Sequence, residues 1–150
     1  MKGFTLIELI ITITFFAIAG AFLVFNLRNQ FLGNLESDAQ IISSRLAETQ
    51  SRAIAGLEGN GWGIHFENAT NTTPFYAIFP GTSYTQASST HFLSQVIEFQ
   101  SPTSGSSTDI IFNKLSGTVA TTTSVIIRLK TDTSKTKTIT VTAQGKITVE

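Results

Sequence analysis

The sequence predicts an α+β protein: one long N-terminal helix, apolar in its first half and amphipathic in its second, packed on a small antiparallel β-sandwich. Two observations carry that prediction. Helical periodicity persists from Phe4 to about Ala55, and no proline occurs between Met1 and Phe66. Beyond Gly56, short alternating or β-branched runs are separated by frequent turns, as in an antiparallel sandwich or curled sheet. The composition sets outer bounds. A chain of 150 residues makes one domain plus an extension. Its charged fraction, 13%, is about half the ~25% of ordinary soluble domains, and Ser and Thr supply the missing polarity. Formal net charge is zero, so no whole-chain field draws in nucleic acid or anionic lipid. The absence of cysteine excludes disulfides, thiolate zinc sites and cysteine nucleophiles.

The first element covers residues 4–27, where Glu8 is the only ionisable side chain. As a helix it would span about 36 Å at ~1.5 Å per residue, enough for a ~30 Å hydrocarbon core. A cleaved signal peptide fits less well: Ala17, Ala19 and Ala21 imitate a cleavage site, but the apolar run continues through Phe25. The β-branched run Ile10-Ile11-Thr12-Ile13-Thr14 is a poor helix former in water. In lipid the preference reverses, because unpaired backbone groups there cost several kcal/mol. Thr12 and Thr14 can return their hydroxyls to carbonyls one turn earlier. Lys2 and Arg28 flank the run, one cation on each side, so the positive-inside rule is nearly silent. Translocation of the large polar C-terminal part favours an N-inside, C-outside span.

Lys2-Gly3-Phe4-Thr5-Leu6-Ile7-Glu8 resembles the processing site of type IV prepilins and type II secretion pseudopilins. In that family a basic leader ends in Gly, a membrane peptidase cuts after it, and a Glu stands at the fifth mature position. The resemblance implies a leader of residues 1–3, cleavage between Gly3 and Phe4, and N-methylation of Phe4. It also implies a pilin-like fold and residence in the inner membrane before passage into a pilus or pseudopilus filament. The implied partners are prepilin peptidase, other pilin or pseudopilin subunits, an inner-membrane assembly platform and the lipid bilayer. Glu8 becomes an assembly residue. Lying about 6 Å inside Phe4, one helical turn, it can snorkel to the interface while the subunit waits. In a filament it can pair with the free ammonium of a neighbour's Phe4, setting register between otherwise featureless apolar helices.

Residues 28–56 continue the helix as an amphipathic half. Phe31, Leu35, Ala39, Ile42, Leu46, Gln50 and Ala53 or Ile54 recur at three- or four-residue steps, a stripe suited to packing on the protein's own domain. Glu48 and Arg52 form a favourable pair off the stripe. Gly56 is placed to cap the helix. Gly20 and the Gly33-Asn34 pair are its weak points. Many pilin relatives carry a proline in the apolar half, and this chain has none.

Residues 57–150 form the β-domain. Runs over residues 61–67 and 75–79 predict a hairpin. A loop over 82–90 leads to a strand near 96–100, and a second loop over 101–108 precedes a short buried strand at 110–112. Further strands are predicted at 124–130, 136–142 and 146–150. Ile111-Phe112 with Ser116-Gly117, Val125-Ile126-Ile127, Ile139-Thr140-Val141 and Gly145-Lys146-Ile147 resemble the C-terminal pattern of the minor pseudopilin subgroup GspH/FimT.

Catalytic chemistry finds no foothold. His65 falls in an alternating strand and His91 in a loop, without ligand spacing, so both read as satisfied or solvated rather than metal-binding. No serine elbow, phosphate loop or carboxylate pair appears, and nothing calls for a cofactor. Trp62, Phe66, Phe75 and Tyr76 read as core. Asn68-Ala69-Thr70 and Asn71-Thr72-Thr73 match the glycosylation sequon. The alternative function lies in five cations against two acids between Arg128 and Glu150. Some FimT-like minor pilins take up DNA through such regions, which would make Lys135, Lys137 and Lys146 phosphate contacts. Solubilising edge lysines are the plainer reading. The function predicted is that of a structural subunit, minor rather than major.

Overall fold

The computed structural model describes residues 5–150, and of residues 23–31 the backbone alone. The helix α1 runs unbroken over Leu6–Ile54, 49 residues, through Gly20 and Gly33. Thr5 caps it, its hydroxyl accepting from the Glu8 amide, and Glu8 sits in the first turn, where a negative charge complements the positive end of the helix dipole. At the other end Gly56, at φ 65°, takes the left-handed conformation that stops the helix. A short 3₁₀ turn, Leu57–Gly59, follows.

Among the described residues eight strands then form two four-stranded antiparallel sheets. The first, in the order β3-β2-β1-β5, contains β1 (Trp62–Asn68), β2 (Phe75–Pro80), β3 (Ser89–Phe92) and β5 (Ser106–Phe112). The second, in the order β4-β6-β7-β8, contains β4 (Ile97–Ser101), β6 (Thr123–Leu129), β7 (Thr136–Val141) and β8 (Ile147–Val149). The predicted β1–β2 hairpin pairs Ile64 with Ile78 and Phe66 with Tyr76.

Two loop predictions need correction. The segment over 82–90 ends in β3, so His91 lies on an edge strand, and β5 begins at Ser106 rather than near Ile110. Ser89-Thr90-His91-Phe92 and Ser106-Ser107-Thr108 carry little apolar alternation. Their strand character comes from neighbours: β3 pairs with β2, and β5 pairs with the whole of β1 from Asn68 to Trp62.

One core joins all three layers. Leu35, Ala39, Ile42, Leu46 and Ala53 are buried on the helix stripe, while Ile54 is 46% exposed. The stripe rests on β1 of the first sheet and on β6, β7 and β8 of the second. The Phe66 and Phe99 rings meet edge to face at 5.9 Å, tying β1 to β4. With its own closed core, a fragment of residues 29–150 should fold without the apolar half-helix. Circular dichroism should show mixed helix and sheet with a cooperative melt; a featureless spectrum would count against the two-part architecture.

Candidate functional site

The apolar start of α1 stands apart from this core. Leu6, Ile10, Phe15, Ile18 and Phe22 are each more than half exposed, an apolar surface far larger than scattered surface residues supply. Among the described residues no helix is long and apolar enough to cross a membrane. Part of the apolar run over residues 4–27 falls outside that description. Thr12 Oγ1 donates to the Glu8 carbonyl at 2.5 Å and Thr14 Oγ1 to the Ile10 carbonyl at 2.8 Å, the back-bonding expected of threonines in an apolar helix. The Glu8 carboxylate is exposed and has no partner among the described residues. Gly3 and Phe4, the predicted cleavage and methylation site, lie outside the described residues.

Polar contacts fasten the second half of α1 to the sheets. Gln50, the one polar member of the predicted stripe, donates through Nε2 to the carbonyls of Gly117 at 2.9 Å and Gly145 at 2.8 Å. Both glycines have positive φ, 65° and 84°. A Cβ on Gly117 would meet Ile54 Cδ1 at 2.7 Å, and one on Gly145 would overlap the Gly117 carbonyl and Gln50. Side chains are thus excluded at both turns by the closeness of the helix. Asp38 receives the amide and hydroxyl of Ser94, each at 2.9 Å. Glu48 accepts from Arg45 at 2.8 Å and Arg52 at 2.6 Å, and these bonds, Arg45's first, hold its carboxyl below the ordinary range. The Arg52 guanidinium lies 4.9 Å from the Trp62 ring centroid.

The cations of the C-terminal strands do not converge. Lys137 pairs opposite the inward-facing Ile127 on β6 and so turns toward the helix, where Nζ meets Glu36 at 2.8 Å. Hydrogen bonds from Lys137 and then Gln40 hold the Glu36 carboxyl low. Lys135 and Lys146 lie beyond opposite ends of β7, whose six residues span about 20 Å. Arg128 is paired with Glu98 at 2.7 Å, and Lys130 donates to the Gln95 carbonyl.

His65 proves fully engaged. Its Nδ1 faces Asp109 at 2.5 Å, its Nε2 faces Glu67 at 2.9 Å, and Tyr84 stacks on the ring at 3.9 Å. His91 stacks on Tyr76 at 5.3 Å, and burial pushes the Tyr76 phenol up. Of the two sequons, Asn68 is closed: it is 7% exposed, and its Nδ2 donates to the Phe99 and Pro102 carbonyls. Sequence reasoning missed the Gln50 clamp and the Asp38–Ser94 tie. A glutamine on an otherwise apolar stripe was the available signal for the first.

Neither a family model nor a curated protein matches the sequence. Among solved structures the chain is similar to the type IV minor pilin FimU of Pseudomonas aeruginosa PAO1 in two crystal forms. One superposes with a TM-score of 0.54 at 17% identity, covering 77% of this chain and 92% of FimU's. The other gives 0.57 at 18% identity, covering 84% and 92%. At such identity the likeness is one of fold: a long N-terminal helix on antiparallel sheets.

Proposed function

We propose that this chain is a structural subunit, and a minor one, of a type IV pilus or a type II secretion pseudopilus. One observation carries the reading: an exposed apolar half-helix continues from a domain that shares its fold with a minor pilin. The apolar run over residues 4–27 serves as a single-pass inner-membrane anchor with the β-domain outside. Prepilin peptidase cuts between Gly3 and Phe4, and the new Phe4 amine is methylated. An inner-membrane assembly platform then passes the subunit into a filament whose core is a bundle of such helices.

Burial explains the release from lipid. In the bundle the exposed side chains of Leu6, Ile10, Phe15 and Phe22 exchange lipid for one another, with van der Waals packing as the driving force. Glu8 supplies the specificity. Gly3→Leu should block processing, because a side chain at that position would crowd a narrow peptidase site. N-terminal sequencing of assembled filaments should begin at Phe4; filaments that still carry Met1-Lys2 would sink the proposal.

The DNA-uptake alternative rests on Lys135 and Lys146, with Lys137 committed to Glu36. Retention of the chain on DNA, and its loss as salt rises, is the direct measurement.

A further inference from the structure

A polar groove of about 450 Å³ opens at the β4 edge of the second sheet, within the size range of small-ligand sites. Glu98 and Arg128 face each other across β4 and β6, with Arg128 Nε donating to Glu98 Oε1 at 2.7 Å. Asn68 enters from the end of β1 in the other sheet, and Gln100, Thr103 and Ser104 complete the lining. Asn68 is the buried anchor of this wall, held through Nδ2 by the Phe99 and Pro102 carbonyls. Several polar atoms are unused among the described residues: Asn68 Oδ1, Glu98 Oε2, both Nη atoms of Arg128, the Gln100 amide and the Ser104 hydroxyl. Donors and acceptors thus share one small space.

We propose that this groove binds a neutral polyhydroxylated ligand, a short oligosaccharide. The charges decide against an ionic ligand. Glu98 and Arg128 neutralise each other, so neither an anion nor a cation meets a net opposite charge. An apolar ligand would strip water from these groups without replacing its hydrogen bonds. Sugar hydroxyls do replace them: each can donate to Glu98 or Asn68 while accepting from Arg128 or Ser104. Phe99 lies beneath the groove at 3% exposure, so no aromatic platform adds stacking. Affinity is therefore weak, in the millimolar range.

The proposal does not depend on filament assembly. Its test is a titration of the full isotope-labelled chain, in micelles of a sugar-free zwitterionic detergent, with maltotriose and with triacetylchitotriose. At least one should shift the amide resonances of Asn68, Gln100, Ser104 and Arg128 and saturate below about 50 mM. Gln100→Ala changes only an exposed side chain and should weaken that response at least about five-fold, roughly 1 kcal/mol. Arg128→Gln should weaken it further. Three results would overturn the proposal: no response from either sugar, an unchanged response in Gln100→Ala, or tighter binding of citrate than of both sugars.

Discussion

Glu8→Val should enter the membrane as well as the wild type, or better, and then fail to join filaments. An apolar residue replaces a charge in the helix, so insertion does not suffer. Cleavage should continue, since the cut lies four residues upstream in the sequence. Assembly alone should collapse. Without Glu8 the incoming Phe4 ammonium would be buried unpaired, at about 3–5 kcal/mol for a broken buried pair. At about 1.4 kcal/mol per decade, that is roughly two to three and a half orders of magnitude in the assembly equilibrium. The wild-type geometry suits such an external partner: the backbone around Glu8 is satisfied by Thr5 and Thr12, while the exposed carboxylate has no partner among the described residues. Glu8→Gln should fall between, keeping an acceptor without the charge. The readout is the fraction of each variant in sheared filaments, normalised to its membrane pool. Equal incorporation of Glu8→Val and wild type would refute the pairing.

Gly145→Ala should be among the most destabilising single substitutions in the β-domain. The added Cβ meets a φ of 84° and overlaps both the Gly117 carbonyl and Gln50 Nε2. To relieve the overlap the turn must move off the helix, which breaks both Gln50 hydrogen bonds. Strain at positive φ costs about 1–3 kcal/mol, and leaving two carbonyls unsatisfied adds about 1–3 kcal/mol each. A loss of about 4 kcal/mol or more is expected, read as a lower urea midpoint. Gly59→Ala is the control: its φ is 75°, but a Cβ there meets nothing within 4 Å. It should cost only the left-handed penalty, about 1–2 kcal/mol. Equal losses in the two variants would show that backbone conformation, not the helix–turn clamp, sets the effect.

Local pattern made the helix readable. Its apolar and amphipathic halves, the Gly56 stop and the β1–β2 hairpin each follow from periodicity or turn chemistry within a few residues. The buried members of the stripe were readable for the same reason: spacing alone puts Leu35, Ala39, Ile42 and Leu46 on one face. Strands β3 and β5 were harder, because Ser, Thr and His become strand residues there only by pairing with β2 and β1.

By itself, then, the sequence determined the α+β plan, the helix with its two faces, and a lone carboxylate inside an apolar run. These depend on neighbours along the chain. Tertiary structure alone decided which distant groups meet. It turned Lys137 onto Glu36, set His65 between Asp109 and Glu67, and brought Gln50 within reach of carbonyls 67 and 95 residues away. Such contacts leave little sequence signal, because a polar side chain's partner is set by where two sheets and a helix pack, and residues far apart in the chain contribute equally to that place.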